Sequence, residues 1–458
     1  MGAPRGSCFP AASCQGNNMK ETHKNGGFGS RFGFVLACVG SAVGMGNIWL
    51  FPYRIGQYGG AAFLIPYLLF VCIFGTVGLS AEFAIGRRAR TGTLGSYRYC
   101  WASRGKGGLG ALLGWIPLLG SLGIAIGYSI IVGWILRSLW GSVSGQILTE
   151  DAAAYFLAAT GPLGSVPWHC MVILIASAIL MFGAAKAIEK VNKVLMPTFF
   201  ILFALLAVRV AMLPGASGGY RFLLVPKWEA LLRVDTWVMA MGQAFFSLSI
   251  TGSGMIVYGT YLSKKEDILH VSVQTAVFDT IAAVLAAFAI MPAVFAFGIE
   301  PSSGPPLLFI TLPNVFRQIP FGRVFAAFFF LSVAFAGITS LINMFEAVCE
   351  SWQTRFRIGR KPAVAVCAAV TLLVGLLIEE EAKMGAWMDF ITILVIPFGA
   401  LLGAVSIYFV LGPKDIGEEL QSGRKAPLPG WFFPLARFLY VPLALIVFIL
   451  GIVYNGIG

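Results

Sequence analysis

Charge is scarce in this chain. Of its 458 residues only 11% are Asp, Glu, Lys or Arg, against roughly 25% in an average soluble protein. Twenty acids and 32 bases cannot cover the surface of two or three water-soluble domains, which excludes a soluble enzyme. Histidine is scarcer still. His23, His169 and His270 are the only three and lie far apart, which excludes a haem or histidine–metal redox protein of the bilayer. The eight cysteines contain no C-x-x-C pair. Cys38, Cys72, Cys349 and Cys367 sit in or beside apolar stretches, as thiols that act as small hydrophobes. Residues 1–27 lack an apolar core, so no cleavable signal is expected; Met19 is an alternative start.

What is abundant is apolar: 58% of the residues are hydrophobic, and that surplus must face lipid. A crossing helix needs about 20 apolar residues. Eleven such stretches are expected, near residues 33–55, 61–86, 110–139, 168–185, 192–213, 237–262, 270–298, 322–348, 363–378, 387–411 and 433–455. The net charge of +12 then reports orientation rather than nucleic acid. With residues 1–27 placed in the cytoplasm, most Lys and Arg fall in inner segments, which is the bias that orients helices. Eleven spans leave the C-terminus outside the cell, and the expected location is the inner, or plasma, membrane.

Two stretches are poorly suited to unbroken helix. The first carries Gly40-Ser-Ala-Val-Gly-Met-Gly-Asn47 at its middle, and the sixth carries Ser247-Leu-Ser-Ile-Thr-Gly-Ser-Gly254. Gly disfavours helix by about 1 kcal/mol relative to Ala, and small hydroxyl residues compete for backbone hydrogen bonds. Small residues also let membrane helices pack closely. Two clusters five helices apart, both at mid-depth, point instead to a transporter site built by an inverted repeat. A break frees N–H groups that suit a carboxylate. It also frees carbonyls that, with hydroxyls, suit a small hard cation. Ala336, Thr339, Ser340 and Asn343 share one face of the eighth helix, where they either glue helices or ligate sodium.

These residues resemble a known family. Phe28-Gly-Ser-Arg-Phe-Gly-Phe34, Gly40 through Tyr53, Gly59-Gly-Ala-Ala-Phe-Leu-Ile-Pro-Tyr67, Gly242-Gln-Ala-Phe-Phe-Ser-Leu-Ser249 and Ala336-Gly-Ile-Thr-Ser340 are similar, in order, to the neurotransmitter:sodium symporter family. The resemblance implies an all-α integral membrane protein of the LeuT fold, with 11 transmembrane helices, a 5+5 inverted repeat and broken helices 1 and 6. It divides the chain into a tail at 1–27, repeats at 28–213 and 214–411, and a loop with the eleventh helix at 412–458.

The resemblance further implies Na+ as coupling ion. One sodium site would use carbonyls of Gly40, Val43 and Ala336 with the hydroxyls of Thr339 and Ser340. The other would use the Ala42 carbonyl, Asn47, Ser247 and Asp279, completed by the substrate carboxylate. Gly44 and Gly46 would offer N–H groups to that carboxylate, beside the Tyr128 hydroxyl. Met45, Ile124, Phe246, Ser249, Gly252, Ser340 and Met344 would shape the side-chain pocket, and Tyr128 and Phe246 would close it. Monoamine carriers of the family tend to have Asp where this chain has Gly44, so the expected cargo is a neutral amino acid. Gly252, Met45 and Met344 suggest room for a large hydrophobic or aromatic one.

Three departures matter. Asp279 stands where the family usually has Asn, and is expected to replace chloride as the fixed negative charge. Leu50 replaces the outer-gate Arg, leaving Arg54 either to reach Asp389 or to snorkel to the surface. Asn25 and Thr354 occupy the places of the inner Arg–Asp latch. Glu82 is expected to pair with Arg87 and Arg88, and Glu346 has no assigned role. Two alternatives stay open: a proton-coupled amino-acid carrier using Asp279, and a sodium-dependent sensor that binds without transporting. No nucleophile–base set marks an enzyme, and oligomeric state does not follow from the sequence.

Overall fold

A computed structural model describes residues 28–183, 185–298 and 305–456; the expected tail at 1–27 lies outside them. Among the described residues the secondary structure is helical throughout. Eight helices are long and apolar enough to cross a membrane: Gly60–Ala89, Gly107–Ser144, Ala185–Ala211, Ile268–Ala296, Gly322–Phe356, Arg360–Leu377, Glu381–Leu411 and Phe432–Val453. Arg31–Ala42 and Gly46–Gln57 form one more span, bent by 60°. Val166–Met181 is shorter, and Val234–Ser247 with Gly254–Tyr261 makes a span broken over six residues. The total is eleven, numbered here as spans 1 to 11 in chain order.

The ends of the spans follow local chemistry. Ser30 caps span 1 by accepting the Gly33 N–H at 3.1 Å, and Asp267 caps span 7 through the His270 N–H at 3.3 Å, each satisfying a donor that the first helical turn leaves orphaned. Span 5 starts well before residue 192, because Ala185–Val191 continues the helix into polar sequence. Spans 1 and 6 lie inside the bundle, packed against spans 2, 5, 7 and 8. Their broken backbone is therefore enclosed by protein, the condition under which non-helical chain is tolerated at membrane depth.

At the Lys/Arg-rich face the bundle is tied by buried charge. Arg87, at the end of span 2, donates to Glu419 Oε1 at 2.6 Å and to the carbonyls of Ser263, Glu266, Glu419 and Ser422. Arg88 faces Asp415 and Glu418. These partners lie on the short helix Pro413–Gln421 between spans 10 and 11. Burial alone would raise the Glu419 carboxyl, but Lys264 and Arg87 hold it below the usual carboxylate range. Removing one partner of a buried ion pair strands the other. Arg87→Ala is therefore expected to destabilise the protein by about 3–5 kcal/mol, seen as a lowered melting temperature in detergent.

Candidate functional site

The backbone leaves the helix twice. In span 1 regular helix stops at Ala42 and resumes at Gly46 as a π-helical turn, Gly46–Leu50. The Gly44 N–H, which in a continuous helix would bond the Gly40 carbonyl, donates instead to Asn47 Oδ1 at 3.0 Å. In span 6 regular helix stops at Ser247 and resumes at Gly254, with Ser249 at φ +53° and Gly252 at φ +73° in between. Both interruptions coincide with the glycine and hydroxyl clusters of the sequence. Each leaves carbonyls at the end of one half-helix and N–H groups near the start of the next.

Two oxygen-rich cradles flank the breaks. In the first, the Ser340 hydroxyl points at the carbonyls of Gly40, Ser41 and Val43, at 3.2, 3.3 and 3.0 Å. Thr339 Oγ1 lies 3.0 Å from the Ala336 carbonyl. Span 8 thus presents its hydroxyl face to the end of the first half of span 1. In the second cradle, Asn47 Nδ2 donates to Ser247 Oγ at 3.0 Å and to Asp279 Oδ1 at 2.8 Å. The Ser247 hydroxyl donates to Asp279 Oδ2 at 2.6 Å. Asn47, Ser247 and Asp279 are buried, so spans 1, 6 and 7 bring one carboxylate, one amide and one hydroxyl together away from water.

Between the cradles lies a cavity of about 830 Å³, counted with its open mouth. Ala42, Gly44, Met45, Gly46, Ile124, Tyr128, Phe246, Ser247, Ser249, Ser340 and Met344 all line it. The Tyr128 hydroxyl accepts the Met45 N–H at 3.4 Å. A Cβ at Gly44 would lie 2.8 Å from that hydroxyl and 3.3 Å from Ser340 Oγ, and one at Gly46 would lie 2.9 Å from Phe246 Cδ1. Bare backbone at both positions keeps side chains out of this corner of the cavity, where the Gly44 N–H is satisfied by the Asn47 side chain. Spans 10 and 11 add Met388, Thr392, Ile393, Ile396, Pro397, Val447 and Gly451, a wall that sequence reasoning missed.

Three expectations need correction. Gly252 does not line the cavity. Its N–H donates to Glu82 Oε1 at 2.8 Å, and a Cβ there would meet the Gly399 carbonyl at 2.6 Å and the Tyr97 hydroxyl at 2.8 Å. It is glycine because the chain is left-handed there and backbone passes close by, so it adds no room for cargo. Glu82, in turn, reaches the break in span 6 rather than Arg87 or Arg88, which are taken by Glu419 and its helix. An acid at the start of the half-helix Gly254–Tyr261 complements freed N–H groups.

The third correction concerns the gate. Arg54 is buried and donates to Gln243 Oε1 at 3.1 Å, while Gln243 Nε2 donates to the Gly46 carbonyl at 3.0 Å. Arg54 thus braces the outer halves of spans 1 and 6, and Asp389 is exposed and outside the ion pairs of the described residues. Glu346, to which the sequence assigns no role, accepts two bonds from Arg360, at 3.1 and 2.6 Å, and one from Tyr261 at 2.5 Å. This tie joins spans 6, 8 and 9. Thr354 donates to Glu350 at 3.1 Å, and Asn25 lies outside the described residues.

Comparison with known proteins agrees with this architecture. The chain is 34% identical over 448 residues to the uncharacterized sodium-dependent transporter YhdH of Bacillus subtilis, covering 93% of this chain and 97% of that one. It is 30% identical over 437 residues to an uncharacterized sodium-dependent transporter of Methanocaldococcus jannaschii, covering 89% and 86%. The crystal structure of MhsT in complex with L-phenylalanine superposes with a TM-score of 0.81 at 31% identity, covering 93% of this chain and 99% of MhsT. The family model of the sodium:neurotransmitter symporters matches residues 25–156 and 154–455. An all-helical bundle of the LeuT fold, with spans 1 and 6 broken at its centre, is the form such sodium-coupled membrane transporters take, and this chain belongs to the sodium:neurotransmitter symporter family.

Proposed function

We propose that the protein carries a large neutral amino acid together with sodium by alternating access, without need of chloride. The observation that supports this best is the convergence of two helix breaks on one cavity flanked by two oxygen cradles. The Gly44 N–H, which a carboxylate would take over from Asn47 Oδ1, and the Gly46 backbone, with the Tyr128 hydroxyl, would hold the substrate carboxylate. The Gly40–Val43–Ala336–Thr339–Ser340 cradle would hold one sodium ion. Ala42, Asn47, Ser247 and Asp279 would hold the other, with the substrate carboxylate as a further ligand. Because ion and carboxylate share that second site, each stabilises the other, which is the coupling free energy that symport requires.

The cavity supports a large, apolar cargo. Its side-chain wall of Ile124, Met45, Met344, Phe246 and Ile396 is apolar and pliable, and thioether side chains refit to cargo of different shape. That MhsT is seen with L-phenylalanine supports the same class. Tyr128 and Phe246 would close over the cargo. Repeats at 28–213 and 214–411 would rock against each other, with 412–458 outside the repeat. The Lys/Arg-rich face would lie in the cytoplasm and the C-terminus outside the plasma membrane.

Uptake into proteoliposomes tests this. A sodium gradient is expected to drive accumulation of labelled phenylalanine or leucine, unchanged when gluconate replaces chloride. Unlabelled tryptophan should compete better than glycine or alanine. Accumulation on a pH gradient without sodium would replace this reading with proton coupling. Sodium-dependent binding without accumulation would replace it with a sensor.

A further inference from the structure

Span 5 brings an amide into the first cradle that neither the sequence reading nor the family resemblance placed there. Asn192 is fully buried. Its Nδ2 donates to the Ile188 carbonyl at 2.9 Å, one turn back on its own helix. That bond fixes which way the amide faces, since a flipped amide would set oxygen against the carbonyl oxygen. Oδ1 is thereby turned away from span 5 and has no hydrogen-bond partner. A buried amide oxygen left unpaired is costly, and the great majority in folded proteins find a partner.

Where it points is specific. The space that a Cβ would take at Gly40 is already held by Asn192 Oδ1, with the amide carbon 3.0 Å and the Thr339 Cβ 3.1 Å from that position. Gly40 and Thr339 are the residues through which spans 1 and 8 meet across the cradle. The Gly40 carbonyl is itself released from helical bonding, because the Gly44 N–H has turned to Asn47. An orphaned carbonyl-type oxygen therefore lies against the Gly40 backbone and beside Thr339, two residues that give the cradle a carbonyl and a hydroxyl, oxygens suited to a hard cation. One turn away on the same face of span 5, Glu189 holds the start of span 1 through the Gly29 N–H at 2.5 Å and the Ser30 hydroxyl at 2.8 Å. Span 5 thus grips span 1 at its beginning and at its break.

We infer that Asn192 Oδ1 is a sixth oxygen ligand of the sodium ion held between Gly40, Val43, Ala336, Thr339 and Ser340. The inference rests on the sodium reading of that cradle. It gives the ion a protein ligand on each of three spans, 1, 5 and 8, so that filling the site would fasten span 5 as well as span 1 to span 8.

Equilibrium binding of radioactive sodium to the purified full chain in detergent, with saturating phenylalanine, tests it. Asn192→Ala is expected to raise the half-saturating concentration of one class of sodium by about 10-fold. Asn192→Leu, which keeps the volume and removes both polar atoms, should weaken that sodium about as much as Asn192→Ala. Thr339→Ala serves as the cradle control. Weaker binding in Thr339→Ala with Asn192→Ala unchanged within about twofold would overturn the Asn192 assignment alone. Unchanged binding in both would overturn the cradle reading and the assignment with it. If Asn192→Ala fails to fold, Asn192→Leu decides: sodium affinity within about twofold of the parent's there would refute the contact.

Discussion

Gly44→Asp is expected to abolish amino-acid binding, with a loss of affinity of at least ~100-fold, while the protein still folds and purifies as a monodisperse species. Position 44 is where regular helix has ceased and the backbone N–H turns to the Asn47 side chain beside the cavity. A side chain there starts 2.8 Å from the Tyr128 hydroxyl and 3.3 Å from Ser340 Oγ, so it can only extend into the space proposed for the substrate carboxylate. Asp adds a second obstacle, because two carboxylates in one enclosed, low-dielectric site repel strongly. Gly44→Ala separates the two effects. Its methyl group displaces the Tyr128 hydroxyl without adding charge, and should cost about 10-fold, or 1.4 kcal/mol. Binding of labelled phenylalanine at saturating sodium reads both. Parent-like affinity in Gly44→Asp would show that the carboxylate lies elsewhere.

Gly44 also illustrates what the sequence makes legible. The interruption of spans 1 and 6 is written in composition, because clusters of glycine and hydroxyl residues at the middle of an apolar run have little helical tendency to lose. Span number follows from hydrophobic length. Which side chain meets which is another matter. Gly252 sits in the same cluster as Ser249, yet only Ser249 faces the cavity. The difference lies in two left-handed residues, Ser249 and Gly252, that redirect the chain between them, and no composition rule reports such a turn. Glu82 was open to the same error. Its neighbours in sequence are arginines, but Arg87 is drawn to a helix more than 300 residues later, which frees Glu82 for the break in span 6. The contributions of spans 10 and 11 to the cavity wall were hidden for a related reason. An apolar helix in lipid shows the same residue types to the bilayer and to a pocket, so hydrophobicity does not tell its faces apart.

Asp279→Asn is expected to reduce sodium-driven uptake in chloride-free medium by ~100-fold or more. The parent carboxylate lies fully buried in span 7 and accepts from Asn47 Nδ2 on one oxygen and from the Ser247 hydroxyl on the other. Asparagine offers only one acceptor, so either Asn47 or Ser247 meets an NH2 group. The serine hydroxyl can rotate to accept it, so the network survives and the main change is electrostatic. Cations in the two proposed sodium sites would then lose the fixed negative charge of Asp279, in surroundings where charge is weakly screened. A mobile anion can substitute for that charge, so adding chloride should restore part of the uptake in Asp279→Asn and do nothing to the parent. Asp279→Glu keeps the charge but misplaces it, and should retain more chloride-free activity than Asp279→Asn. Chloride titration of initial uptake rates in the three proteins separates these outcomes. If Asp279→Asn matched the parent without chloride, Asp279 would not be the counter-charge. If its loss were complete at every chloride concentration while the parent ran on a pH gradient, the carboxylate would be carrying a proton instead.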